Sequence, residues 1–139
     1  MILVHKLMIT SKNAWKYTKD RLTHTGMSNA SYDICGYIYH FGGTNQDSIS
    51  KALHMDKSSV AKIVNKCVND GLVERKINPD NRREYILELT EYGKEVTKEL
   101  IDVVQDWQDE VLSILSEEER NQYLEISYKL QQKSEQMSQ

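Results

Sequence analysis

Apolar side chains recur every three or four positions over most of this chain, and give way to strict alternation only once. Ile2, Leu3, Leu7, Ala14, Tyr17 and Leu22, with Met8 and Trp15 beside them, predict a helix over 2–22. The Thr-, Ser-, Asn- and Gly-bearing stretch 24–30 breaks it. Ile34, Cys35, Ile38 and Phe41 predict a second helix over 31–41, ended by Gly42 and Gly43, one of which suits a left-handed C-cap. Ile49, Ala52 and Leu53 form the apolar face of a short third helix starting near Thr44. Its cap is Thr44, in a capping box with Asp47, or Asn45 in its place. After a turn at His54 and Met55, Asp56 is placed to cap a fourth helix, on which Val60, Ile63, Val64, Cys67 and Val68 make one stripe until Gly71.

The alternation follows. Leu72, Val73 and Ile77 lie on one short strand over 72–77; Tyr85, Leu87 and Leu89 alternate with Glu84, Ile86 and Glu88 on another over 83–89. Thr90 then caps a long helix over 91–114, with Val96, Leu100, Val103, Val104, Trp107, Val111, Leu112 and Ile114 on its apolar positions. Ser116 and Glu119 make a second capping box, opening a helix over 117–132, and the end QQKSEQMSQ is expected to fray. The pattern is mainly α with a small β-wing: a winged helix-turn-helix over 31–90, a helix and linker over 1–30, and terminal helices over 91–139. Those terminal helices carry more apolar surface than so small a central domain covers, and a second copy of the chain is the simplest cover.

Burying the stripe of the fourth helix turns Lys57, Ser58, Ser59, Lys62, Asn65 and Lys66 outward. The hairpin that follows carries Arg75 and Lys76 at its base and Asn78, Pro79, Asp80, Asn81, Arg82 and Arg83 at its tip. A helix sized for a major groove beside a basic tip sized for a minor groove suits duplex DNA. The first-turn hydroxyls and backbone donors favour phosphate. Asn65 is a candidate for adenine and Lys62 for guanine, and Arg75 and Lys76 for phosphate.

Net charge, −3 over 139 residues, argues the other way until it is divided along the chain. Residues 1–70 hold nine Lys/Arg against five Asp/Glu, and residues 91–139 hold five against twelve. The acid is concentrated in the terminal helices, and the local field at the reading surface stays positive.

Several classes fall away. No nucleophile–base pair or clustered metal ligands support an enzyme, and no cofactor or metal is implied. Cys35 and Cys67 sit inside helical patterns, the places of small buried hydrophobes rather than of a disulfide scaffold or metal knuckle. No apolar run reaches membrane length and the start is not a signal peptide, so the expected location is cytoplasmic.

The segment 45–95 resembles the MarR family of winged helix-turn-helix transcriptional regulators. The resemblance is carried by Gln46, Ile49, Leu53, by DKSSV at 56–60 with Val64, by GLVER at 71–75, by Pro79, Asp80, Arg82 and Arg83, and by Leu89, Thr90 and Gly93. It implies a homodimer with interleaved terminal helices, the fourth helix in the major groove of a pseudo-palindromic duplex, Arg82 in the adjacent minor groove, and Asp80 steadying Arg82 or the wing by a salt bridge. It also implies a repressor released by a small aromatic or lipophilic effector, with Trp15, Tyr17, Tyr32, Tyr37 and Tyr39 as candidate cleft residues. Thr44, Ser48, Ser50 and His54 depart from the family's usual residues, which predicts a slightly looser third helix. The alternatives are a winged-helix protein-interaction module, or a ligand-independent regulator controlled by abundance.

Overall fold

The computed structural model describes residues 2–137. Its order is α1 (Leu3–Arg21), a 3₁₀ turn (Thr23–Thr25), α2 (Asn29–Phe41), α3 (Gln46–Ala52), α4 (Lys57–Asn69), β1 (Val73–Ile77), β2 (Tyr85–Leu89), α5 (Glu91–Leu112) and α6 (Glu117–Met137). The chain divides into two compact units, Met1–Val104 and Gln105–Gln139.

In the first unit, the main core gathers one stripe from each element around α4. Ile34, Cys35 and Ile38 of α2 meet Ile49 of α3, Val60, Val64 and Cys67 of α4, Val73 and Leu87 of the hairpin, and Val96 of α5. A second, smaller cluster joins Leu22, Tyr32 and Leu100, with Trp15 against it. Cys35 and Cys67 are free thiols and neighbours in the main core. Hydrogen bonding to Cys35 lowers Cys67 to about 7, while the same contact and burial push Cys35 up.

Local chemistry sets most boundaries. Ser28 accepts from the Ser31 amide and starts α2 two residues earlier than the expected 31. Asn45, not Thr44, caps α3, accepting from the Ser48 amide at 2.8 Å. Thr44 is taken by a different bond: its amide and carbonyl pair with Leu87, so a one-residue bridge flanks the hairpin's second strand. The hairpin pairs antiparallel, Val73 opposite Leu89 through Ile77 opposite Tyr85. Gly71, at φ +72°, turns the chain out of α4 into β1.

Thr90 caps α5 as expected, its hydroxyl accepting from the Gly93 amide at 2.9 Å. That hydroxyl also donates to the Gly71 carbonyl at 2.6 Å, and the Thr90 amide donates to the Leu72 carbonyl at 3.1 Å. The start of α5 is thereby tied to the end of α4.

In the second unit, Ser116 and Glu119 form the reciprocal capping box of α6. The helix continues to Met137, past the expected end at 132. Gln131 donates to Glu135 one turn on, and good helix formers carry the segment expected to fray. Residues 138 and 139 lie outside the described residues. Leu124, Ile126, Tyr128 and Leu130 of α6 are exposed, as are Leu3, Val4, Leu7 and Met8 of α1 in the first unit.

Candidate nucleic-acid interface

The candidate surface begins at the α3–α4 turn. Ile49 is fully buried and anchors α3. The Ser50 hydroxyl donates to the Met55 carbonyl at 2.6 Å, and the Met55 amide donates back to the Ser50 carbonyl at 3.0 Å. His54 sits between them at φ +51°, a left-handed conformation that L side chains rarely adopt. The departures expected to loosen the third helix therefore include one, Ser50, that ties its turn.

Asp56 then opens α4. One carboxylate oxygen accepts from the Ser59 amide at 2.8 Å and the Ser58 hydroxyl at 2.6 Å; the other accepts from the Ser59 hydroxyl at 2.6 Å. These bonds, the Ser58 hydroxyl first, hold its pKa well below the usual carboxylate range. The sign of the linkage follows. A depressed folded pKa adds stability above the unfolded value, about 3.9, and that stability is lost as pH falls through the folded value. Asp56→Asn keeps a capping acceptor but has no charge to neutralise. Its loss of stability between pH 7 and pH 2.5, read by urea denaturation, is expected to be smaller than the wild type's; equal losses would refute this assignment.

The same network places Ser58 and Ser59: both outward hydroxyls already donate to Asp56. The outward cations of α4 divide. Lys57 pairs with Asp47 at 3.1 Å and Lys66 with Asp70 at 2.5 Å, the latter bond raising the Lys66 pKa. Lys62 is exposed and has no ion-pair partner among the described residues. At the wing's base, Lys76 pairs with Glu88 and, at 3.4 Å, with Glu74. Arg75 donates to the side-chain oxygen of Asn65, joining the wing to α4.

The wing tip is closed by its own backbone and by two asparagines. Asn78 Oδ1 accepts from the Asp80 amide at 3.0 Å, and Asn81 Oδ1 accepts from the Arg83 amide at 3.2 Å. The salt bridge expected of Asp80 is absent among the described residues; the asparagines steady the tip instead. Residues 79–83 are all exposed, and the guanidinium groups of Arg82 and Arg83 have no ion-pair partner among the described residues. Residues 57–83 hold seven Lys/Arg and three Asp/Glu, a strip that is locally positive.

The candidate cleft aromatics occupy four settings. Trp15 stacks on Tyr32 with centroids 6.2 Å apart, inside the smaller core. Tyr17 lies under the Arg21 guanidinium, and Tyr37 packs on Phe41 at 4.7 Å. Tyr39 lines an open cavity of about 330 Å³ with Ile38, Gly42, Gly43, Glu88, Leu89 and Lys94.

Two features escaped sequence reasoning. The Thr44–Leu87 bridge joins residues 43 positions apart, and nothing local announces it. The Asn65–Arg75 bond depends on where two long-range neighbours point. Alternation in β1 did carry a signal for the second, because it puts Arg75 on the side of buried Val73.

A short helix, a tight turn, a second helix with a polar outer side and a basic hairpin define a winged helix-turn-helix protein. The MarR family model matches residues 25–84. BilQ, an HTH-type transcriptional regulator of Clostridium symbiosum, is 31% identical over 114 residues, covering 82% of this chain and 79% of that one. A crystal structure of MarR superposes with a TM-score of 0.84 at 26% identity, covering 99% of this chain and 93% of that one. A crystal structure of the MepR–DNA complex of S. aureus superposes at 0.86 with 20% identity, covering 96% and 98%. The chain belongs to the MarR family: it is a DNA-binding transcriptional regulator with a winged helix-turn-helix.

Proposed function

We propose that the chain acts as a homodimeric repressor of pseudo-palindromic operators, with residues 31–90 as the reader and residues 1–30 and 91–139 as the dimerising helices. Each protomer lays α4 in a major groove and its wing tip in the adjacent minor groove. Lys62, Lys57, Lys66, Ser58 and Ser59 form the helix contacts, with Lys76, Arg82 and Arg83 on the wing and Asp80 shaping its tip. The observation that carries this reading is that Lys62, Arg82 and Arg83, at the two protrusions, have no ion-pair partner among the described residues. MepR, which shares the fold, was crystallised on DNA. The exposed apolar side chains of α1 and α6 support pairing of two copies.

Release by a small aromatic or lipophilic effector requires a ligand that prefers a protomer arrangement other than the DNA-bound one. The cavity lined by Tyr39 supports such a site. Among the described residues no helix is long and apolar enough to cross a membrane; a cytoplasmic location is part of this proposal and follows from operator binding.

The test is selection of bound duplexes from a random pool, with sedimentation to read the stoichiometry. The expected result is two chains on a motif with inverted symmetry. A monomer bound to an asymmetric motif refutes the dimer. Lys62→Ala is expected to change the selected base at one position of each half-site while leaving the rest of the motif intact. An unchanged motif removes Lys62 from base reading. Titration of candidate aromatic acids and phenols at fixed salt tests release; unaltered affinity throughout leaves regulation by abundance.

A further inference from the structure

We propose that Asn65 is a positioning residue: with Arg75 it forms a strut that sets the angle between α4 and the wing, and it does not read a base. This deepens the duplex-reading proposal and rests on it. Asn65 follows buried Val64 on α4, and Arg75 follows buried Val73 by two on β1, facing the same side. The two polar side chains thus meet at the rim of the apolar seam between helix and hairpin. A guanidinium only donates, so the Asn65 atom facing it is the carbonyl oxygen. Bidentate pairing with adenine needs that oxygen and the amide nitrogen together. Arg75 takes one of that oxygen's two lone pairs and holds it toward the wing, so bringing oxygen and nitrogen together onto one adenine requires the amide to rotate off the strut.

Neighbouring cations show that the partnership is selective. Lys66 takes Asp70, and Lys76 takes Glu88 and Glu74. Arg75 has no carboxylate in ion-pair range among the described residues, although Glu74 and Lys76 flank it, because alternation sends theirs to the other face of the hairpin. The seam beneath is built from Val64, Cys67, Val73 and Leu87, whose contacts are non-directional. A hydrogen bond at its rim is directional and fixes rotation about it.

The decisive variant is Asn65→Asp. A carboxylate accepts from both prongs of the guanidinium and strengthens the strut, but loses the amide donor that adenine requires. The full chain is compared with Asn65→Asp, Asn65→Ala, Arg75→Ala and the double alanine variant. The readouts are amide hydrogen exchange of residues 73–77 and 85–89 without DNA, affinity for a duplex selected with the wild type, and the motif each variant selects. Both single alanine variants are expected to speed wing exchange and weaken binding about five- to tenfold, with the double no worse than either. Asn65→Asp is expected to keep wing exchange slow and to select the wild-type motif at every position. A changed base under Asn65→Asp, or alanine effects that multiply in the double variant, overturns the strut. If the wild type selects no duplex, the duplex-reading proposal fails, and exchange still decides: unaltered wing exchange in Asn65→Ala overturns the strut by itself.

Discussion

Gly93→Ala is expected to melt about 10 °C below the wild type, because its new methyl would stand closer to its neighbours than a methyl at any other glycine. A Cβ at Gly93 would stand 2.0 Å from the Leu72 carbonyl oxygen and 2.9 Å from its carbonyl carbon. Both are backbone atoms, and Leu72 is itself buried at 1% exposure, so nothing flexible can move aside. Relief requires α5 to lift away from the α4–β1 corner. That breaks the Thr90 bonds to Gly71 and Leu72 and uncovers Val96. Overpacking of this kind costs about 3 kcal/mol, and for a domain of this size that converts to the stated shift. Gly36→Ala is the matched control: its Cβ meets nothing within 4 Å, and in mid-helix it is expected to hold or raise the melting temperature. Thermal denaturation of the pair checks both. A Gly93→Ala protein that melts with the wild type would mean that helix and corner are not in contact.

Arg82→Ala is expected to weaken binding about 10- to 100-fold, the range for losing a hydrogen bond made by a charged group. The loss should be similar for most selected duplexes, and the slope of log affinity against log salt should fall by about one. Melting should not change, because Arg82 is exposed and no salt bridge among the described residues depends on it. The two glycine and arginine results therefore separate cleanly, one moving stability and the other moving binding. Fluorescence anisotropy at several salt concentrations measures the second. Unaltered affinity would remove the tip from the interface.

What could be read in advance was what the chain decides locally. Asp56, Thr90 and the Ser116–Glu119 pair each satisfy amides within three residues, and each helix starts where its cap stands. The stripe through Val60, Val64 and Cys67 fixed which side of α4 is buried, and so which residues face out. Orientation within that outward set was not legible. Ser58 and Ser59 lie on the outward side, yet their hydroxyls are already taken up by Asp56. Thr44 and Asn45 both suited a cap, and the choice was made by Leu87, far along the chain, which takes the Thr44 backbone. The close approach at Gly93 was likewise hidden, since a helical glycine carries no local sign of what passes beside it.

The hairpin tip closes through bonds that begin and end between Asn78 and Glu84, and none of its exposed residues 79–83 enters a core. Such a tip is a cassette. Exchanging these seven residues for a longer or differently charged turn alters how far the arm extends and what it presents, while the scaffold that carries it is left as it was. If the tip enters a minor groove as proposed, operator preference there can drift, or be engineered, independently of the fold.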